Sequence, residues 1–430
     1  MATPCENTAT SSASGFRCHD GRMTDPTGRS LLSYKRSRRD EAALLIQAQH
    51  DHGIPTWQDV RDLASVPTED ELRRVLADPT TASAVLFITP EVENSTVIRE
   101  VEVPKIVQRA EPRDGFFVVP VAAGGLDFAK AAEATSNHLS SQNLAGWNMH
   151  KIPASTISAG HAADIANRVL IQRIAAIHRY LPPGQPLRVG LFVRRPPPFQ
   201  AGTALTLDWS AHFADKEATP EKWRDVLLPG LERIAKAIRQ YAPGREVEAF
   251  GLPTLPAAAA LGCAFLSTAG LRASWRQIAP GRDDQLWTLA QPKEDSGFKA
   301  QITSKEPNAR DLAVLVSVAD NTEPVFAAYQ KNLPPLRVLV HITRQGAYPH
   351  IIRTPAEATD VALAVQDGMR TARREYGNIG TAHLFMAAPA GLAMLVGQLL
   401  NTFGAVQTYE HVTVDGSGQY RPAALLRPNV

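Results

Sequence analysis

Cysteine is scarce in this 430-residue chain, which has only Cys5, Cys18 and Cys263. That excludes a disulfide framework, and no Cys/His spacing matches a zinc site. No apolar run reaches the roughly 18 residues that a membrane helix needs. The first residues lack the apolar stretch and small-residue cleavage site of a secretory leader, so the chain reads as cytoplasmic. No GxGxxG or Walker-type sequence is present, and ATP-dependent chemistry has no motif to rest on. An excess of one charge is lacking too. The formal net charge of +2 argues against a sequence-independent DNA binder. A small anionic ligand needs only a local basic pocket, which net charge does not exclude.

What is present is an ordinary globular composition, 44% hydrophobic and 20% charged. It can build a sizeable core, and the length implies two or three domains. Residues 1–22 are rich in Ser, Thr, Ala and Gly and offer almost nothing to a core. A disordered tail is expected there, extending to residue 28. Met23, the first residue of a more ordinary segment, is a second candidate start.

Strand and helix patterns then alternate. Ser30–Tyr34 reads as a short strand and Arg38–His52 as a helix ended by Gly53. Ile54–Gln58 reads as a second strand, and Thr68–Leu76 as a helix with Thr68 and Glu71 in a capping-box pattern. Ala84–Thr89 is an apolar strand. Ser95–Gln108 is helix-like but interrupted by Pro104. Phe116–Val121 is a strand and Phe128–His138 a helix. Strands that are apolar throughout, alternating with helices, predict a parallel sheet covered on both faces. Residues 141–157 read as a linker, with the first domain over 29–140.

After it come a long helix at Ala159–Tyr180, a strand at Leu187–Val193 and a helix at Trp223–Tyr241. Val247–Leu252 is a strand leading into an Ala-rich helix at Pro256–Phe265, and Thr303–Arg310 reads as a loop. The outline then repeats: strands at Leu312–Ser317, Leu336–Ile342 and Thr381–Ala387, and helices at Pro324–Asn332, Pro355–Tyr376 and Leu392–Phe403. Strand followed by Ala-rich helix occurs at 247–265 and again at 381–403. Residues 158–430 are therefore expected to hold two pseudo-repeated α/β units, divided near residue 302.

Three passages in the first domain carry a resemblance: Leu31-Leu32-Ser33-Tyr34-Lys35-Arg36-Ser37, Trp57-Gln58-Asp59-Val60, and Leu86-Phe87-Ile88-Thr89-Pro90 followed by Ser95 and a Glu-bearing helix. In order and spacing they resemble TIR domains. The resemblance implies a flavodoxin-like fold with ligand bound outside the carboxyl ends of the strands. It implies NAD⁺ as substrate and no bound cofactor or metal. Cleaving the nicotinamide–ribose bond develops positive charge on the ribose, which a nearby carboxylate stabilises. The resemblance places that carboxylate on the helix after the third strand. Glu102 is favoured, with Ile98 where relatives carry an aromatic residue, and Glu100 is the alternative. Lys35 and Arg36 are candidates for the pyrophosphate, Trp57 for stacking a ring, and Thr89 for the same edge. The bland readings are a solvated face for the charges and an edge aromatic for Trp57.

Two further passages, Gly251-Leu252-Pro253 through Phe265 and His383 through Glu410, look like the SAVED domain of CBASS-type anti-phage systems. That domain resembles two fused CARF-like Rossmann units. The resemblance implies a cyclic oligonucleotide as activator, an adenine-containing trinucleotide such as cyclic tri-AMP. It also implies self-association into an oligomer or filament, with the Val60–Thr68 loop as a contact. Candidate ligand residues are Trp209 for stacking, Ser317 at a strand edge, and Ala388 and Pro389 where a strand enters a helix through small residues. Asp208 is a candidate to hydrogen-bond a base, and Arg194 and Arg195, which follow another strand, are candidates for phosphate. Tight helix–sheet packing is the bland reading of the Ala-rich helices, and His383 is expected inside the sheet. The expectation is a cyclic-oligonucleotide-activated NAD⁺ hydrolase; the alternative is a ligand-gated TIR scaffold without catalysis.

Overall fold

The computed structural model describes residues 24–57, 68–136, 144, 146–278 and 283–428. The tail at 1–22, Cys5, Cys18, Met23 and most of the Val60–Thr68 loop lie outside the described residues. Among the described residues, no helix is long and apolar enough to cross a membrane.

The first third contains β1 (Arg29–Tyr34), α1 (Arg39–Asp51), α2 (Thr68–Ala77), β2 (Thr81–Ile88), α3 (Val103–Ala110), β3 (Phe117–Ala122), α4 (Phe128–Ala134) and β4 (His150–Lys151). The strands form one parallel sheet in the order β1-β2-β3-β4. Every residue of β2 is buried, as expected of a strand covered on both faces. Of the second strand expected at Ile54–Gln58, the described part, residues 54–57, makes a single bridge, between Thr56 and Ser30, and Gln58 lies with Asp59 and Val60 outside the described residues. Pro55 has no N–H to give a longer ladder. With that bridge counted, the chain crosses the sheet in the order second, first, third, fourth, fifth, which is the flavodoxin-like order.

Two expected boundaries move. β4 pairs with β3, and the Ile152 N–H donates to the Ala122 carbonyl. The region read as a linker therefore supplies the last strand of the first sheet. Residues 24–28, expected in the disordered tail, are packed. Thr24 and Thr27 are buried, and the Thr27 and Gly28 carbonyls accept from Arg173.

A long helix, α5 (Ala159–Tyr180), follows, with Ser158 as its N-cap. The next unit comprises β5 (Leu187–Phe192), β6 (Leu205–Asp208), α6 (Leu228–Tyr241), β7 (Val247–Leu252), α7 (Leu255–Ala264), β8 (Ala273–Gln277) and β9 (Gln285–Trp287). The last unit comprises β10 (Lys299–Ser304), β11 (Asp311–Ser317), α8 (Glu323–Tyr329), β12 (Leu336–Thr343), α9 (Pro355–Tyr376), β13 (Ala382–Ala387), α10 (Ala390–Gln398), β14 (Val406–Val414) and β15 (Ser417–Leu426). The sheet orders are β6-β5-β7-β8-β9 and β10-β12-β11-β13-β14-β15. Without the extra edge strand β10, which replaces part of the expected loop at 303–310, the two orders are the same. Each has four parallel strands closed by an antiparallel one. The pseudo-repeat seen in the sequence is thus a repeat of topology.

The two units meet through α7 and α10. A Cβ added at Gly262 would stand 2.1 Å from the Met394 carbonyl oxygen, and one at Gly397 would stand 2.2 Å from the Ala259 oxygen. The helices touch backbone to backbone, and their buried Ala faces, Ala257 to Ala260 and Ala393, permit the approach. The contact is reciprocal, because each glycine meets the residue three positions before its counterpart. The closing hairpins are also exchanged. Trp275 and Trp287 of β8–β9 pack on Gly391 at the start of α10, while β14–β15 packs on α7.

One apolar core runs from a face of the first sheet (Leu32, Val85, Phe87) through α5 (Ile165, Val169, Ile174) into both later units. The other face of the first sheet has its own core, around Leu86, Ile88, Ile98 and Ile106.

Replacing Gly397 with Ala should lower the unfolding free energy by about 1–3 kcal/mol or more, because a carbonyl occupies the space. Gly160→Ala, near the start of α5, meets only Ser158 Oγ at 3.6 Å and should cost nothing or stabilise slightly. Urea titration of both variants checks the pair; equal stability would refute the close crossing.

Candidate functional site

The carboxyl edge of the first sheet gathers short polar segments. Ser33 lies near the end of β1, Thr89-Pro90-Glu91 follows β2, and Gly124-Gly125 follows β3. Between Thr96 and Val103 the chain makes a π-helical turn, Val97–Glu102. Pro104, at the second position of α3, removes a helical donor, and the wider turn absorbs the break. Ile98 anchors this turn in the core. At its end the Glu102 carboxylate accepts a 2.5 Å hydrogen bond from Ser33 Oγ. Glu102 is half-buried, whereas Glu100 is exposed. The structure therefore brings Glu102 to the end of β1 and leaves Glu100 on the outer face.

Lys35 is half-buried and Arg36 exposed, both just past β1. Arg38, for which the sequence suggested no role, does more. Its guanidinium pairs with Glu41 at 2.7 Å and Glu91 at 2.7 Å and donates to the Ser155 carbonyl. It ties α1 to the loop after β2 and to the chain leaving β4. Hydrogen bonding to Arg38 holds the Glu91 carboxyl down at about 2. Thr89 is fully buried at the same edge.

Trp57 is a correction. It was expected beside these groups but stands at the amino end of the sheet. Its Nε1–H donates to Thr81 Oγ1 at the start of β2, and Arg29 at the start of β1 lies 4.3 Å from the ring centroid. Because its strand reaches β1 only at Ser30, Trp57 is left about four residues, or some 13 Å, short of the carboxyl edge.

In the later units two more assignments change. Trp209 is fully buried. Its ring makes edge contact with Trp223, and its Nε1–H points to the Asp51 carbonyl. It is a core residue at the join between α1 and the second unit and cannot stack on a base. Ser317 does end β11 at the carboxyl edge, but it is fully buried, and its oxygen bonds Thr322 Oγ1, His341 Nε2 and the Thr322 N–H. Those partners saturate it, and it holds the loop in shape. His383 sits inside the sheet as expected, bonded to Tyr409 and Asp311.

Ala388 and Pro389 remain accessible, half-buried at the entry to α10. Pro389 is the N-cap and contributes no side-chain bond to the helix, so the first N–H groups of α10 carry the positive end of the helix without a side-chain cap. The α7 entry differs. Thr254 caps it through the Ala257 N–H, and Glu410 of β14 comes beside it from the other unit. Arg194, just past β5, reaches Glu410 at 3.4 Å and the Lys216 carbonyl at 3.0 Å. Asp208 is occupied by the backbone and hydroxyl of Ser210, and Arg195 is exposed.

A separate groove of about 870 Å³ runs between α6, the end of α7 and β15. None of the residues assigned from the sequence lines it. Lys236, Arg239 and Arg427 stand along it, and burial raises the Cys263 thiol in its wall to about 12, so that thiol is no nucleophile. Among the described residues no His/Cys/Asp/Glu cluster could hold a metal ion.

Residues 231–426, from α6 to the end of β15, match the SAVED family, the SMODS-associated and fused to various effectors sensor domain. The match begins inside the second of the three sheet-bearing units and runs through the third. Among solved structures it is similar to the Cap4 SAVED/CARF-domain containing receptor of Acinetobacter baumannii. With the complex of 2'3'3'-cAAA it shares 14% identity, covering 92% of this chain and 100% of the receptor, at a TM-score of 0.45. With the complex of 3'3'3'-cAAA the identity is 13%, with the same coverage and a TM-score of 0.46. The Moraxella osloensis Cap4 receptor is similar at 13% identity, over 91% of this chain and 99% of that one, with a TM-score of 0.42. No curated protein matches the chain.

The Arg38–Glu91 pair makes a pH prediction. A carboxyl held at about 2 in the fold and in the ordinary range near 4.5 when unfolded adds stability above the higher value. That contribution fades as pH falls toward 2. Arg38→Ala should return Glu91 to the ordinary carboxylate range, read by NMR titration of its side chain. An unchanged titration midpoint would show that the pair does not hold it.

Proposed function

We propose that the chain is a cyclic-oligonucleotide-gated NAD⁺ hydrolase of CBASS-type defence, with a TIR-type first domain and the SAVED region as its sensor. The observation that carries the enzymatic half is the Ser33–Glu102 hydrogen bond. It fixes a carboxylate at the carboxyl edge of a sheet with flavodoxin-like strand order, where such sheets bind ligands. The sensor half rests on the family match over residues 231–426.

In this reading NAD⁺ lies across the carboxyl edge. Lys35 and Arg36, on the segment after β1, meet the pyrophosphate. As the bond between ribose C1' and the nicotinamide nitrogen breaks, its electron pair goes to the ring and neutralises it. Positive charge spreads over C1' and the ring oxygen of the ribose. The Glu102 carboxylate, aimed by the Ser33 hydroxyl, stabilises that charge. Water then forms the new C1'–O bond and releases a proton, giving ADP-ribose and nicotinamide. Ligand bound to the SAVED region drives self-association, and neighbouring first domains complete one another's sites. NAD⁺ loss halts the infected cell.

A second reading, an adaptor without catalysis, is favoured by the position of Trp57, which leaves the edge without the aromatic face expected for a substrate ring. Nicotinamide release separates the two. With either cyclic triadenylate added, purified protein should release nicotinamide. Glu102→Gln should slow release by about 10²–10³-fold, while Glu100→Gln should stay within about twofold. Ligand binding by a protein that releases none would decide for the adaptor.

A further inference from the structure

The two units present their helix entries to each other, but unequally. Ala273 of β8 pairs with Val247, and Val406 of β14 pairs with Ala382. These are the same places in the two repeats. Four residues on, the equivalent positions hold Gln277 and Glu410. Gln277 comes to the start of α10, where its Oε1 would lie 3.1 Å from a Cβ on Gly391. Glu410 comes beside Thr254, the cap of α7. One entry thus receives a neutral amide and the other a carboxylate.

The Glu410 side chain is more than nine-tenths buried. Its Oε1 reaches Arg194, whose own side chain is half exposed, and the Thr254 hydroxyl is its other polar neighbour, close enough to lower the carboxyl but not at full hydrogen-bond geometry to Oε2. An exposed arginine beside the positive end of a ten-residue helix makes an anion site. Here an anion of the protein's own occupies it.

Resting on the sensor reading above, we propose that Glu410 is a place-holder for a ligand phosphate. A cyclic oligonucleotide takes Arg194 and the α7 entry from it, and the α10 entry at Ala388–Pro389 takes a second phosphate unopposed. Because Glu410 belongs to β14 and Arg194 to the edge of the other unit, the exchange breaks a bond between the units as the ligand enters. The pair is therefore both a competitor and a latch.

The charge state of Glu410 sets how hard it competes. Burial lifts its carboxyl to about 7; Thr254 and Arg194 pull it down and Glu217 pushes it up. Arg421, across the ladder on β15, is engaged by Glu217 at 3.2 Å. His411 alternates to the opposite face, against Tyr420. Below 7 the neutral acid gives up the site, and above it the carboxylate repels the phosphate. The neutral fraction falls from about nine-tenths at pH 6 to about one-tenth at pH 8, and apparent affinity should fall about tenfold with it.

The test is calorimetric titration of the full chain with 3'3'3'-cAAA and, separately, 2'3'3'-cAAA at pH 6, 7 and 8. Wild type should weaken about tenfold across the range. Glu410→Gln, which keeps the shape, should bind at every pH as wild type does at pH 6. Arg194→Ala should weaken binding at least tenfold at all three. The wild-type profile needs no variant to fold. A flat wild-type profile, or Glu410→Gln binding more weakly than wild type, overturns the place-holder and leaves the sensor reading standing. If neither wild type nor Glu410→Gln binds either trinucleotide, the sensor reading falls and this inference falls with it.

Discussion

The later two-thirds of the molecule depend on one steric condition: α7 and α10 must cross with no side chain between them at Gly262 and Gly397. Each glycine lets in a carbonyl oxygen from the other helix. That approach fixes the distance between the two parallel sheets and sets their repeats face to face. It also delivers each closing hairpin to the other unit's helix entry. The Arg194–Glu410 pair and the contact of Gln277 with the start of α10 both follow from it. If the helices stood a side chain further apart, neither hairpin would reach.

The first sheet is fastened to this body by a different device. Arg173, wholly buried in α5, spends its guanidinium on the carbonyls of Thr27, Gly28 and Ala204. It joins the start of the chain to the edge of the second unit with no carboxylate involved. The end of α1 completes the joint. Asp51 accepts from His212 and Gln47, its carbonyl lies under Trp209, and the Gly53 carbonyl accepts from the Thr206 N–H of β6. A charge this deep is expensive unless every donor is used, and three carbonyls use most of them.

Much of the architecture was readable because the central strands are apolar throughout. Val247–Leu252 and the helices at Ala159–Tyr180 and Pro355–Tyr376 lie where periodicity puts them. The edge strands β6, β8 and β9, and the β14–β15 hairpin, escaped notice. Half-exposed strands such as Ala273–Gln277 mix charge with aromatics and carry no clear alternation. The candidate site was readable to the extent that Glu102 is the half-buried acid of the pair and Ala388–Pro389 stands open. Trp57, Trp209 and Ser317 misled for one reason: residue type and rank after a strand do not reveal the partners that burial supplies. Nothing in the sequence singles out Ser33, because β1 also holds Arg29 and the hydroxyl of Ser30. Glu410 closes the His383–Glu410 passage, but nothing local to it shows which helix it meets.

The union of Gly53 with β6 bears on how such a protein could be assembled from parts. The outer margin of the second sheet is finished by backbone from the first domain. Trp209 and Leu205 are sealed by the same turn. A recombination event that exchanged everything before Ala159 for a different domain would strip that margin, exposing an unpaired ladder and a bare indole. The first third is therefore fitted to this body in particular, and any replacement must bring its own selvage.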